Sequence, residues 1–90
     1  MFGQIVKNVD NIITLVNLSK KAEIGLVNYN VVFIENDVKF VGVIVSISEN
    51  YIDVALIGEI VNNEFISGII KKPRFSSSCR LITKPELEYI

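Results

Sequence analysis

Asp53 and Glu59 are two carboxylates within one apolar run, Tyr51 to Ile60, and paired carboxylates are the groups that perform general acid–base catalysis. Both occupy odd-numbered positions that alternate with aliphatic residues, which is the pattern of a strand with one face in solvent. We therefore interpret the two carboxylates as solvated surface groups and expect no catalysis from them.

The chain has no histidine and a single cysteine, Cys79. This excludes histidine-based acid–base chemistry, Cys–His nucleophiles, zinc fingers and an intramolecular disulfide. No glycine lies in a GxxxxGK[ST] phosphate loop, and Asn36-Asp37 and Asn62-Asn63 suit tight turns better than a calcium loop. We expect no catalytic residue, no metal site and no cofactor in this segment, and we expect Cys79 to pack as a small apolar side chain.

Positive charge is concentrated in one apparent loop, Lys71 to Phe75, with Arg80 close behind it in the sequence. Cations beside an aromatic ring suit contact with a protein partner or with single-stranded nucleic acid. Solvated loop charge is the other interpretation, and four positive charges give nucleic acid only a modest counterion contribution. The candidate contact residues are Lys71, Lys72, Pro73, Arg74, Phe75 and Arg80.

The composition describes one small β-rich domain of 90 residues. Valine supplies 12 positions and isoleucine 15, and β-branched side chains favour strands. The net charge of −1 provides no strong positive field for non-specific binding to nucleic acid. The longest aliphatic or aromatic runs fall far below the ~20 residues that span a bilayer, and no signal peptide opens the chain. We therefore expect no membrane segment and a cytoplasmic location.

Apolar and polar residues alternate through almost the whole chain, which predicts strands separated by tight turns. Hairpins are expected to turn at Asp10-Asn11 and Asn36-Asp37, with later turns at Ser48-Glu49-Asn50 and Val61-Asn62-Asn63. The sequence thus predicts an all-β fold, a small closed or nearly closed antiparallel β-barrel of about six to seven strands. The predicted buried core includes Ile44, Val54, Leu56 and Leu81.

Two glycines and a capping signal modify this strand pattern. Gly42 and Gly58 fall inside predicted strands, where glycine usually marks a bulge or a sharp bend.

Near the C-terminus, Thr83-Lys84-Pro85-Glu86 has the form of a capping box, so a helix is predicted to begin there. We divide the chain into a barrel over residues 1–83 and a helix start or linker over 84–90. Because so short a helix is not stable alone, we expect it to continue into a larger protein.

Three segments carry a resemblance to a known family: GQIVKNVDNIITL, VVFIENDVKFVGVIVSIS and, most specifically, LIGEIVNNEFISGIIKKPRFSSSCRLITKPELEYI. Their order resembles the N-terminal barrel, or HAS-barrel, of HerA-like ATPases, a module also seen at the N-terminus of ATP synthase catalytic-ring subunits. The third segment is similar to the family pattern of a GEI strand, a turn, F..GI, a proline, a LIT strand and an acidic-apolar helix entry. It departs from that pattern where Phe75-Ser76-Ser77-Ser78 replaces a glycine.

The resemblance implies a non-catalytic oligomerisation and partner-docking barrel of a hexameric DNA-translocating ATPase, acting in DNA end processing or antiphage defence. It also implies a homo-oligomeric ring, an effector such as a nuclease or a sirtuin-like protein, and DNA contacted through the ring. ATP and magnesium are expected only in the motor domain, which lies outside these 90 residues. The alternative is a free-standing nucleic-acid-binding small β-barrel that uses the basic residues named above.

Overall fold

The computed structural model describes residues 3–17, 24–35, 38–68 and 78–89. A short 3₁₀ turn, Ile24–Leu26, precedes the third strand. Neither helical element of the described ranges has the length and apolar character needed to cross a membrane. The elements in chain order are β1 (Ile5–Val9), β2 (Ile12–Val16), β3 (Asn30–Glu35), β4 (Val38–Ile47), β5 (Tyr51–Val61), β6 (Glu64–Ser67), β7 (Ser78–Leu81) and α1 (Lys84–Leu87).

All seven strands belong to one antiparallel sheet that curves into a half-barrel. Six of them lie in the spatial order β1-β2-β5-β4-β3-β7, and β6 pairs with β5 outside this path. The long strand β5 is central, because β4 occupies one of its edges while β2 and then β6 share the other. The all-β class and the small antiparallel barrel-like sheet of about six to seven strands are confirmed.

Two predicted turns show the backbone geometry that their residues favour. Asp10 and Asn11 have φ of 52° and 65°, and Asn62 and Asn63 have φ of 51° and 63°. Asparagine and aspartate tolerate this left-handed region, and two such residues in a row match the right-handed twist of a hairpin. The turn predicted at Asn36-Asp37 lies outside the described residues.

A one-residue bulge in β5 changes which side of the sheet its side chains face. Val41 pairs with Gly58 and Gly42 with Leu56, so Ile57 is the extra residue. Because alternation has a period of two, this insertion exchanges the faces on either side of it. Leu56 therefore faces the inside of the half-barrel, which we call the inner face, whereas Ile60 faces the opposite side, the outer face.

Each face of the sheet carries its own hydrophobic cluster. Fourteen hydrophobic residues of the described ranges are buried. The inner cluster consists of Ile5, Ile13, Leu15, Val31, Phe33, Phe40, Ile44, Ile52, Val54, Leu56 and Cys79. The outer cluster consists of Val32, Val41 and Ile60, with Ile34, Ile57, Phe65 and Ile82 packed against them.

Gly42 allows the sheet to pack closely at the bulge. A Cβ atom at this position would overlap a methyl group of Val54 and lie 3.0 Å from the carbonyl oxygen of Ala55. The position therefore requires glycine for space, which agrees with the bend predicted there. Gly58 is crowded in the same way, since the ring of Phe65 lies where its side chain would be.

The core prediction is correct at three positions and wrong at one. Ile44, Val54 and Leu56 are buried as expected. Leu81 is only half-buried, because it ends β7 and lines an open depression beside α1. The strand that follows the turn at Asn62-Asn63 ends at Ser67, and the next residue, Gly68, has a φ of 90°.

Candidate functional site

The helix α1 begins where the capping signal predicts. Thr83 is the N-cap: its hydroxyl accepts a 3.4 Å hydrogen bond from the backbone N–H of Glu86, and the Thr83 N–H donates to Glu86 Oε1 at 2.9 Å. Pro85 occupies the first turn, where a missing N–H costs nothing. This reciprocal arrangement is a capping box, as the sequence predicts.

Glu86 also reaches back to the sheet and joins α1 to two strands. Its two carboxylate oxygens each accept a 2.8 Å hydrogen bond from the guanidinium of Arg80 on β7. The ammonium group of Lys39 on β4 lies 2.5 Å from Glu86 Oε2. We call Lys39, Arg80, Thr83 and Glu86 the Glu86 clasp.

The electrostatics of the clasp favour the ionised form of Glu86. Glu86 is only 5% exposed, and a buried carboxylate needs hydrogen-bond donors around it. The hydrogen bonds from Arg80, and then those from Lys39 and Thr83, hold the pKa of Glu86 well below its ordinary range despite the opposing effect of burial. The hydrogen bond to Glu86 raises the pKa of Arg80 in turn. A bidentate guanidinium–carboxylate pair is among the stronger and more directional contacts in proteins.

The clasp lies over the outer cluster. Arg80 pairs with Val32 across the sheet and Lys39 pairs with Ile60, so both cations project from the outer face. Ile82, between β7 and α1, packs against the same cluster. Glu86 and Ile82 therefore attach the C-terminal segment to the outer face of the sheet.

The structure places only one of the six predicted contact residues. Arg80 lies in the clasp, where its guanidinium donates to Glu86 while its side chain remains 32% exposed. Its role as a contact residue stays a prediction. Lys71, Lys72, Pro73, Arg74 and Phe75 lie outside the described residues.

The two strand carboxylates face opposite sides of the sheet. Asp53 pairs with Thr14 and Ser46 on the outer face, and Glu59 pairs with Phe40 on the inner side. The bulge at Ile57 lies between the two carboxylates and separates them. They form no pair. The prediction that both lie on one solvated face of the strand is wrong, because the bulge turns Glu59 to the inner side, where it is half-buried.

A polar row crosses the other half of the outer face. Lys7, Thr14, Asp53 and Ser46 are neighbours on β1, β2, β5 and β4 in that order. The hydroxyls of Thr14 and Ser46 donate to the two oxygens of Asp53, at 2.7 and 2.8 Å. The carboxylate plane of Asp53 is thereby held in one orientation at the surface.

Cys79 belongs to the inner cluster and packs as an apolar side chain, as expected. Burial raises the pKa of its thiol to about 12, which keeps it protonated and unreactive at neutral pH. Within the described ranges, no three histidine, cysteine, aspartate or glutamate side chains are placed to hold a metal ion.

No protein-family model matches the chain, and no curated protein matches it either. Inference about function therefore depends on the fold, the clasp and the sequence pattern. Of the clasp residues, Lys39 was missed by sequence reasoning, because it lies in an ordinary strand position far from Glu86 in the chain. The capping box was the one local signal that pointed to Glu86.

Proposed function

We propose that this chain is a non-catalytic barrel that supports assembly and docks a partner at the N-terminus of a HerA-like, hexameric, DNA-translocating ATPase. In this role the barrel presents surface, and the motor supplies ATP, magnesium and movement. DNA end processing and antiphage defence are the settings that the sequence resemblance suggests.

The observation that carries the proposal is the Glu86 clasp. In the family pattern, the acidic-apolar segment after the LIT strand leads into the motor. Here that segment starts with a capped helix whose Glu86 is bound to Arg80 on β7 and Lys39 on β4. Attachment to two strands fixes the direction in which the following chain leaves the barrel, and a barrel that is connected to a moving motor requires such a fixed direction.

The commitment of Arg80 to Glu86 weakens the alternative of a free-standing nucleic-acid-binding barrel. That alternative needs cations that are free for phosphate contacts, and one of its four is already paired with a carboxylate of the protein. Salt-dependent binding of the 90-residue chain to single-stranded DNA would favour it over our proposal.

The first test is the reading frame downstream of the codon for Ile90. We expect a motor with a GxxxxGK[ST] phosphate loop, and a stop codon close to Ile90 would overturn the proposal.

The second test uses the full-length protein, with Lys71→Glu and Arg74→Glu combined. We expect loss of the ring or of effector binding in native mass spectrometry, with charge reversal at the exposed Glu64 as the control. Unchanged assembly and unchanged effector binding would argue against a contact through this loop.

A further inference from the structure

The open half of the outer face combines fixed charge with exposed apolar side chains. The polar row Lys7-Thr14-Asp53-Ser46 crosses four strands there. Val6, Val45 and Tyr51 beside it are 44–51% exposed. Large apolar groups that border an ordered polar row are typical of protein interaction surfaces.

Two bulges direct the valines outward. Val6 is the extra residue between Ile5 and Lys7 in β1, and Val45 is the extra residue between Ile44 and Ser46 in β4. Each bulge therefore presents an apolar side chain directly before one end of the polar row. Bulges are a means of re-aiming side chains, and both act here at the same surface.

The charges of the row complement a second copy of the row. Lys7 and Asp53 lie on either side of Thr14, each about 4.8 Å from it across one strand spacing. When two copies meet face to face about a two-fold axis that is parallel to β2 and passes above Thr14, Lys7 of each copy lies opposite Asp53 of the other. A foreign partner must present an acid and a base at this same spacing, whereas a second copy does so by symmetry.

The surface around Asp53 has room for the incoming lysine. A depression of about 560 Å³ is lined by Val6, Lys7, Thr14, Ser48, Tyr51 and Asp53. Each oxygen of Asp53 accepts one hydroxyl hydrogen bond, and a carboxylate has further lone pairs for an ammonium group. Because Thr14 and Ser46 already orient the carboxylate, Asp53 itself loses little side-chain entropy when the lysine binds.

From this geometry we infer that the outer face docks a second copy of this chain, in a symmetric contact of Lys7 in each copy with Asp53 in the other. This inference goes beyond the proposed function and does not depend on it. It uses a sheet face, whereas the proposed ring and effector contacts use the loop at 71–75. Either contact can therefore fail without the other.

The test is sedimentation equilibrium of the 90-residue chain from about 1 μM to about 1 mM. We expect a dimer whose dissociation constant rises at least about tenfold in Lys7→Glu and in Asp53→Lys, because each change opposes like charges twice. In a dimer of either single variant, positions 7 and 53 carry like charges. In a dimer of one variant with the other, they carry opposite charges. A 1:1 mixture of the two should therefore restore the dimer, and so should the variant that carries both changes.

A measurement on the unaltered chain keeps the test independent of variant folding. A carbodiimide joins a lysine amine to a carboxylate that it contacts. In a mixture of ¹⁵N-labelled and unlabelled chains, we expect a mixed-isotope cross-linked peptide containing Lys7 and Asp53. A monomer at the highest concentration, an unchanged dimer in both single variants, or intermolecular cross-links only at other sites would overturn the inference.

Discussion

Arg80 and Glu86 join the last strand of the sheet to the C-terminal helix through two parallel hydrogen bonds of 2.8 Å. Their side chains meet over the outer cluster, where Lys39 adds a third connection. The pair therefore does more than satisfy a capping box, because it attaches a helix of only four residues to strands at two places in the sheet. Such a helix has no stability of its own and depends on these contacts.

Glu86→Gln should destabilise the protein by about 1–2 kcal/mol, since hydrogen bonds to a charged group are worth more than neutral ones. The amide keeps the size of the side chain but loses the ion pairs with Arg80 and Lys39. Urea unfolding followed by circular dichroism measures the change. Glu88→Gln is the matched control, because Glu88 is exposed two residues further on, and its effect should be close to zero. Equal effects of the two changes would contradict the role of the clasp.

The clasp should also make stability depend on pH. The pKa of Glu86 is lowered in the folded protein, so its contribution is complete above the ordinary value of 4.5 and is lost as the pH falls toward the folded-state value. The difference in unfolding free energy between the unaltered protein and Glu86→Gln should therefore shrink below about pH 4.5. Urea titrations from neutral pH to about pH 3 follow this difference. A difference that stays constant over the range would show that Glu86 is not held as a carboxylate.

Gly42→Ala should cost about 1–3 kcal/mol, because its Cβ would overlap Val54 and press on the carbonyl oxygen of Ala55. Gly25→Ala is the control, since no atom lies within 4 Å of its Cβ position. Both variants are compared by thermal unfolding. Similar melting temperatures for the two would mean that β4 and β5 do not pack closely at the bulge.

Ile44→Ala should cost about 2–4 kcal/mol, because Ile44 is fully buried in the inner cluster. Leu81→Ala removes a similar volume from a half-buried position and should cost about half as much. The comparison uses urea unfolding of both variants under the same conditions. A larger loss for Leu81 would place the centre of the core nearer to β7 than the structure does.

Local signals in the sequence predicted much of the fold. Asp10-Asn11 and Asn62-Asn63 marked two hairpin turns because few other residues tolerate positive φ, and Thr83 with Glu86 marked the helix start. These features depend on neighbours in the chain. For that reason they could be predicted without knowledge of the sheet.

The two-faced core and the clasp could not be predicted in the same way. Gly58 indicated a bulge or a bend in the run from Ile52 to Ile60, but it did not show that Ile57 is the extra residue. The position of that residue depends on the register of the pairing with β4. Arg80 looked like a contact residue beside a basic loop. Its partner Glu86 lies six residues further along the chain, and the capping box alone does not indicate that the Glu86 carboxylate also reaches Arg80.

The strand order has a consequence for the time that folding takes. Thr14 pairs with Asp53, 39 positions away, and Val32 pairs with Arg80, 48 positions away. Chain segments so distant must meet before either pairing stabilises anything, and proteins rich in such contacts fold in about milliseconds to seconds rather than microseconds. During synthesis, β3 emerges long before its neighbour β7. The nascent chain therefore exposes an unsatisfied edge of β3 until the residues of β7 leave the ribosome.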